Sequence, residues 1–174
     1  MSTAPGVRTT SRQVLPWSVA MLGLGVVGGL LWLWLAKPAE WEVTTRGVIL
    51  TEEAARGQFA VVVMFVSIGA VLTFGWGWAA GRRLHELGWV LVPVFAAVAA
   101  VAALIAWQVG AALGPSDPRD AVRPAIGDRL PSPLDIDAVA PFLVWPMFAL
   151  VGLLMATWLD HSEQDDADVT ADLS

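Results

Sequence analysis

The chain has 174 residues, of which 56% are hydrophobic and 15% charged, whereas a soluble domain averages about 45–50% and about 25%. Cysteine is absent and the net charge is −6. Disulfides, thiolate metal centres and cysteine nucleophiles are therefore excluded, and no basic patch supports nucleic-acid binding.

Residues 1–13 form a polar tail carrying Arg8 and Arg12. An uncharged apolar run then covers 14–36, opening near Pro16 and closed by Lys37-Pro38. Roughly 20 apolar residues cross the hydrocarbon core as a helix, so this run is predicted to be the first span. It exceeds the roughly 7–15 residues of a signal peptide's apolar region, and no small-x-small cleavage site follows, so it reads as retained.

The first loop, 37–58, contains β-branched and aromatic residues around Arg46-Gly47, which predicts a hairpin over Trp41–Leu50. Thr51 before Glu52 and Glu53 fits a helix cap with acids at the positive helix end. The second helix is accordingly expected to start before its lipid-embedded part, 59–80. A short turn at 81–86 carries Arg82 and Arg83, and a third span follows at 87–113.

The second loop, 114–138, predicts a short helix from Asp117-Pro118 to Pro124. It also predicts an edge strand over Pro133–Asp137, where apolar and acidic residues alternate. That strand is expected to lie beside the hairpin as a small extracytoplasmic cap. The fourth span covers 139–159. The tail 160–174 holds Asp160, Glu163, Asp165, Asp166, Asp168 and Asp172 with no Lys or Arg. It accounts for the whole net charge and reads as disordered. The fold class is thus an all-α membrane bundle of four spanning helices with two extracytoplasmic loops that form a β-containing cap. Short basic flanks at Arg8, Arg12, Arg82 and Arg83 favour the cytoplasm for both termini.

Trp is favoured at the membrane–water interface, where its ring is apolar and its N–H is wet. Trp17 and Trp34 bracket the first span, Trp89 and Trp107 the third, and Trp145 and Trp158 the fourth, so these six are expected as interface anchors. Small residues allow close helix approach in lipid. Gly25 and Gly29 form one such pair, and Ala102, Ala106, Gly110 and Gly114 recur every fourth residue. These six are read as packing positions within one bundle, the alternative being a homodimer face, with the third helix expected to be the most buried. A shared spacing of Phe59 and Met64-Phe65 with Phe142 and Met147-Phe148 hints at an internal duplication.

An ionisable side chain at bilayer depth would mark a functional site, and the four spans contain none. Gln108 is their one strongly polar side chain, expected to make a helix–helix hydrogen bond. His85 and His161 lie outside the spans, which removes paired axial haem ligation. No phosphate loop, HExxH or nucleophile elbow occurs, and no histidine selects a pair among the loop carboxylates. The reading therefore assigns no catalytic, cofactor-binding or metal-ligating residues, and no enzyme activity.

Several phrases taken in order carry a resemblance. They are Leu31-Trp32-Leu33-Trp34-Leu35-Ala36-Lys37-Pro38, Leu50-Thr51-Glu52-Glu53 with Gly57-Gln58-Phe59, Ala106-Trp107-Gln108-Val109-Gly110 with Leu113-Gly114-Pro115, Ser132-Pro133-Leu134-Asp135, and Leu143-Val144-Trp145-Pro146. The chain resembles, over about 20–157, a family of actinobacterial four-helix membrane proteins of unknown function. Nine arginines to one lysine also fit a GC-rich genome. The resemblance implies a bacterial plasma membrane and two extracytoplasmic loops, and carries over no catalytic residue. The partners expected are the bilayer and a protein of the membrane or envelope, with the chain as an accessory or scaffolding component. The rival expectation is a small transporter or channel for an apolar or lipid-like solute.

Overall fold

A computed structural model describes residues 5–36, 40–44, 47–49, 52–115, 129–131, 134, 136 and 138–172. Four long helices dominate: α1 (Pro5–Leu35), α2 (Glu52–Leu84), α3 (Leu91–Leu113) and α4 (Ala140–Asp172). Each contains a stretch apolar and long enough to cross a membrane, at Gln13–Leu35, Phe59–Leu84, Gly88–Leu113 and Ala140–Leu159. These stretches are 20 to 26 residues long, which at about 1.5 Å per residue matches a hydrocarbon core of about 30 Å.

The helix ends of α1 and α4 differ from expectation, while α2 starts ahead of its apolar stretch as expected. Helix α1 begins at Pro5, so Pro16 lies inside the helix instead of opening it. Pro5 suits a first helical position, where its missing N–H has no partner to lose. At Pro16 a backbone donor is lost, and two residues on the Ser18 hydroxyl donates to the Val14 carbonyl at 3.2 Å. Helix α2 starts at Glu52, a full seven residues before Phe59. Helix α4 continues to Asp172, where a disordered tail was expected. No Pro or Gly follows Leu159 to stop it, and the Ser162 hydroxyl bonds the Leu159 carbonyl at 2.8 Å as the helix leaves the apolar stretch.

Interhelical contacts fix the directions. Gly25 meets Ala102, Gly29 meets Ala106, and Trp32 lies on Gly110, so α1 and α3 run parallel. Gly69 meets Trp145, Gly77 meets Ala149, and Gly81 meets Ala156, so α2 and α4 are also parallel. Trp17 and Trp76 meet at one level, and Trp32 and Val61 at another, which makes α1 and α2 antiparallel. Both chain ends and the α2–α3 connection therefore share one end of the bundle. The two long loops share the other.

The main seams are α2 with α4 and α1 with α3, followed by α3 with α4 and α1 with α2. Helices α2 and α3 lie nearly diagonal although the shortest connection joins them. That connection, His85–Val90, is a pair of short 3-10 turns kinked at Gly88, whose φ of +56° glycine adopts without Cβ strain. Trp76 crosses the centre from α2 to stack with Phe95 on α3, ring centroids 4.4 Å apart. Trp145 crosses the other diagonal, from α4 over Gly69 of α2 to Gly28 of α1.

At the loop end, β1 (Glu40–Thr44) pairs antiparallel with β2 (Gly47–Ile49) and with β3 (Arg129–Pro131), in the order β2-β1-β3. Thr44 faces Gly47 and Glu42 faces Ile49; on the other side Glu40 faces Pro131 and Trp41 faces Leu130. The second-loop strand thus falls at 129–131, not over Pro133–Asp137. Leu134 and Ile136 are instead buried, non-strand residues of the core. Leu134 and Ile136 stand two residues apart, so their shared burial keeps the expected alternation of faces, but the second edge of β1 is already taken by β3, in the order β2-β1-β3. The expected short helix at 117–124 lies outside the described residues.

Candidate functional site

The side chains singled out from sequence fall into two groups, a packing seam and a set of tryptophans. In the seam, Ala102 and Ala106 are wholly buried. A methyl placed on Gly25 would lie 2.7 Å from the Ala102 carbonyl oxygen, and one on Gly29 would strike Ala106. Gly110 accommodates the indole of Trp32, and Gly114 faces Leu134, whose Cδ1 would be 3.3 Å from a methyl there. These six positions therefore draw α1, α3 and the second loop together within one chain. The third span buries 33% of its most apolar stretch, against 28% for each of the others. Backbones this close add dispersion contact that lipid tails cannot offer a bulkier seam.

The second parallel pair, α2 with α4, has a comparable seam. Gly69, Gly77 and Gly81 of α2 face Trp145, Ala149 and Ala156 of α4, and Gly152 of α4 faces the Phe74 and Trp78 backbones. This seam carries the same four-residue spacing of small residues, at Gly69, Thr73, Gly77 and Gly81 of α2 and at Gly152 and Ala156 of α4.

The tryptophans divide by burial. Trp34, Trp89 and Trp158 are 83%, 89% and 63% exposed on the bundle surface, while Trp17 and Trp107 are half-buried. Trp145, expected as an interface anchor, is wholly buried. It lies in the core because Gly69 and Gly28 leave a slot wide enough for an indole. Position near the end of a span suggested the interface, but the facing glycines override it. Gln108 is exposed on α3 and not engaged between helices. Near the end of its span, an exposed amide can meet the polar interface without a helix partner. The two halves that share the Phe and Met-Phe spacing use it differently, since Phe65 is buried while its counterpart Phe148 is exposed.

Toward the loop end the aromatic side chains form one connected cluster. Phe65 contacts Trp32 at 5.2 Å, Trp145 at 5.4 Å and Phe142 at 5.5 Å between centroids, and Phe142 contacts Trp107 at 6.0 Å. Trp32 donates its indole N–H to the Val61 carbonyl at 2.9 Å. The Nε1 atoms of Trp107 and Trp145 are sealed from solvent and meet no acceptor. At the opposite end Trp76 donates to the Trp17 carbonyl at 3.0 Å, and the Arg82 guanidinium lies 5.8 Å from the Trp78 ring centre. Thr73 is the buried polar residue of the described core, and its hydroxyl is satisfied by the Gly69 carbonyl at 2.7 Å. Among the described residues no three His, Asp or Glu side chains gather to hold a metal ion. Compared with protein-family models, curated proteins and solved structures, the chain matches none.

Proposed function

We propose that this chain is a non-catalytic accessory or scaffolding component of a cell-envelope complex. It would reside in a bacterial plasma membrane with both termini in the cytoplasm. The reading is carried by one observation. Strands from two separate loops pair through Trp41 and Leu130 at one end of a bundle whose apolar runs 14–36, 59–80, 87–113 and 139–159 hold no ionisable side chain. A paired sheet orders backbone that would otherwise be loop, and ordered extramembrane surface on a chemically plain bundle suits recognition better than catalysis. On this reading the sheet is a small cap above the bundle, and its face is what a partner engages. The resemblance to actinobacterial four-helix proteins supports the same compartment.

A photo-reactive residue at Val48 tests the idea in intact cells, with the same residue at Trp158 as the control at the opposite end. A discrete protein adduct from position 48 and none from position 158 is the expected result. Recovery of only the bare chain from both positions sinks the proposal. The second reading, a small transporter or channel for an apolar solute, is favoured by the two unpaired indole donors of Trp107 and Trp145.

A further inference from the structure

Trp32 and Trp76 show how this bundle treats a buried indole: each N–H finds a carbonyl on a neighbouring helix. Trp107 and Trp145 break that pattern, with Nε1 atoms that are buried and without an acceptor. Inside lipid there is no water to compensate, so an unmet donor is costly to keep. The two share one ring cluster, linked through Phe142 and Phe65. Trp145 lies flat on Gly69, because a methyl there would sit above the face of the pyrrole ring, nearest Nε1 and almost equally far from Cδ1 and Cε2. Its N–H lies in the ring plane and therefore passes beside α2 without meeting it. The Gly69 carbonyl already accepts the Thr73 hydroxyl.

The chemistry of the missing partner follows from what surrounds it. An indole N–H can only donate, so the partner must supply an acceptor. The neighbours are phenyl rings and glycines, and the spans carry no charge to balance an ion. We propose that this cluster binds a neutral, apolar molecule through a carbonyl oxygen, with the Trp107 and Trp145 indole N–H groups as donors. At the loop end Leu134 is buried against Gly114. Trp107 on α3 and Phe142 on α4 are only half-buried. Those two rings touch across the α3–α4 seam, and the proposed entry is there, sideways from lipid. This inference goes beyond the accessory role and stands or falls separately from it.

The carbonyl can belong to a free apolar solute or to the ester of a surrounding phospholipid, and one experiment separates the two. The full chain, with isotope-labelled indole nitrogens, is placed in nanodiscs of either ether-linked phytanyl lipid or ester-linked lipid. Indole proton–nitrogen spectra are recorded before and after adding methyl undecyl ketone, with tridecane as the control. Trp107→Phe and Trp145→Phe assign the two signals. Downfield movement of both with the ketone, but not with tridecane, supports the site with a free solute. A difference between ester and ether lipid without any addition supports it with a bilayer lipid. Signals that stay fixed across all conditions overturn the proposal. Where the ketone binds, Trp107→Phe is expected to weaken its affinity about five-fold, the worth of one hydrogen bond; an unchanged affinity overturns the two-donor site. If Trp145→Phe does not fold, the Trp107 signal alone decides by the same criteria.

Discussion

Gly77→Ala and Gly75→Ala add the same methyl two residues apart on the same helix and should shift stability in opposite directions. At position 77 the new Cβ would press on the Ala149 carbonyl oxygen and lie 3.0 Å from its carbon and 3.1 Å from its Cα. Carbon contacts settle at about 3.5–4.0 Å. Every one of those neighbours is backbone, so no rotamer change gives relief and α4 itself has to back away. At position 75 nothing lies within 4 Å of the new methyl. Alanine gains about 0.5–1 kcal/mol over glycine in a helix interior, and that gain is common to both variants. Overpacking a fitted contact costs roughly 1–3 kcal/mol, and only Gly77→Ala incurs it. Gly75→Ala should therefore stabilise by about 0.5–1 kcal/mol, with Gly77→Ala lower than it by roughly 1–3 kcal/mol. Unfolding of micelle-bound protein with dodecyl sulfate, followed by tryptophan emission, measures both. Equal stabilities, or a Gly77→Ala variant more stable than Gly75→Ala, would refute the α2–α4 seam.

Trp145→Ala should lower stability in the same assay by about 3–5 kcal/mol, as for other wholly buried aromatics, while Trp34→Ala on the exposed surface should stay within about 0.5 kcal/mol. An equal loss at the two sites would contradict the core placement of Trp145. Truncation after His161 should remove far-ultraviolet helical signal while leaving the unfolding midpoint within about 0.5 kcal/mol of the full chain; a large loss would mean that the α4 extension supports the bundle. For orientation, alkaline phosphatase fused after Gly114 should be active and the same enzyme fused at the C-terminus inactive. The reverse pattern would invert the proposed topology.

Hydropathy made the four spans legible because an uncharged run of this length has few other places to go. The Gly25–Gly29 and Ala102–Gly110 spacings were legible for a related reason: small residues one turn apart make a groove on any helix. Neither spacing named its partner, and it took the parallel packing of α1 on α3 to match them. Trp145 shows the opposite case. Its place near the start of α4 suggested an interface ring, and only Gly69 and Gly28 on two other helices turn that ring inward. The alternation over Pro133–Asp137 marked Leu134 and Ile136 for one buried side, but which second-loop residues pair with β1 depends on the hairpin edge, far away in sequence, and that edge takes Arg129–Pro131. The helical continuation of α4 was hidden by its acidic composition.

The sequence alone determined that this chain has four segments long and apolar enough to cross a membrane, because the free energy of moving apolar side chains out of water depends on each segment's own residues. The tertiary structure decided which glycine faces which carbonyl, which indoles are buried, and which of those lack an acceptor. Those outcomes depend on distances between segments far apart in the chain, and no local spacing encodes them.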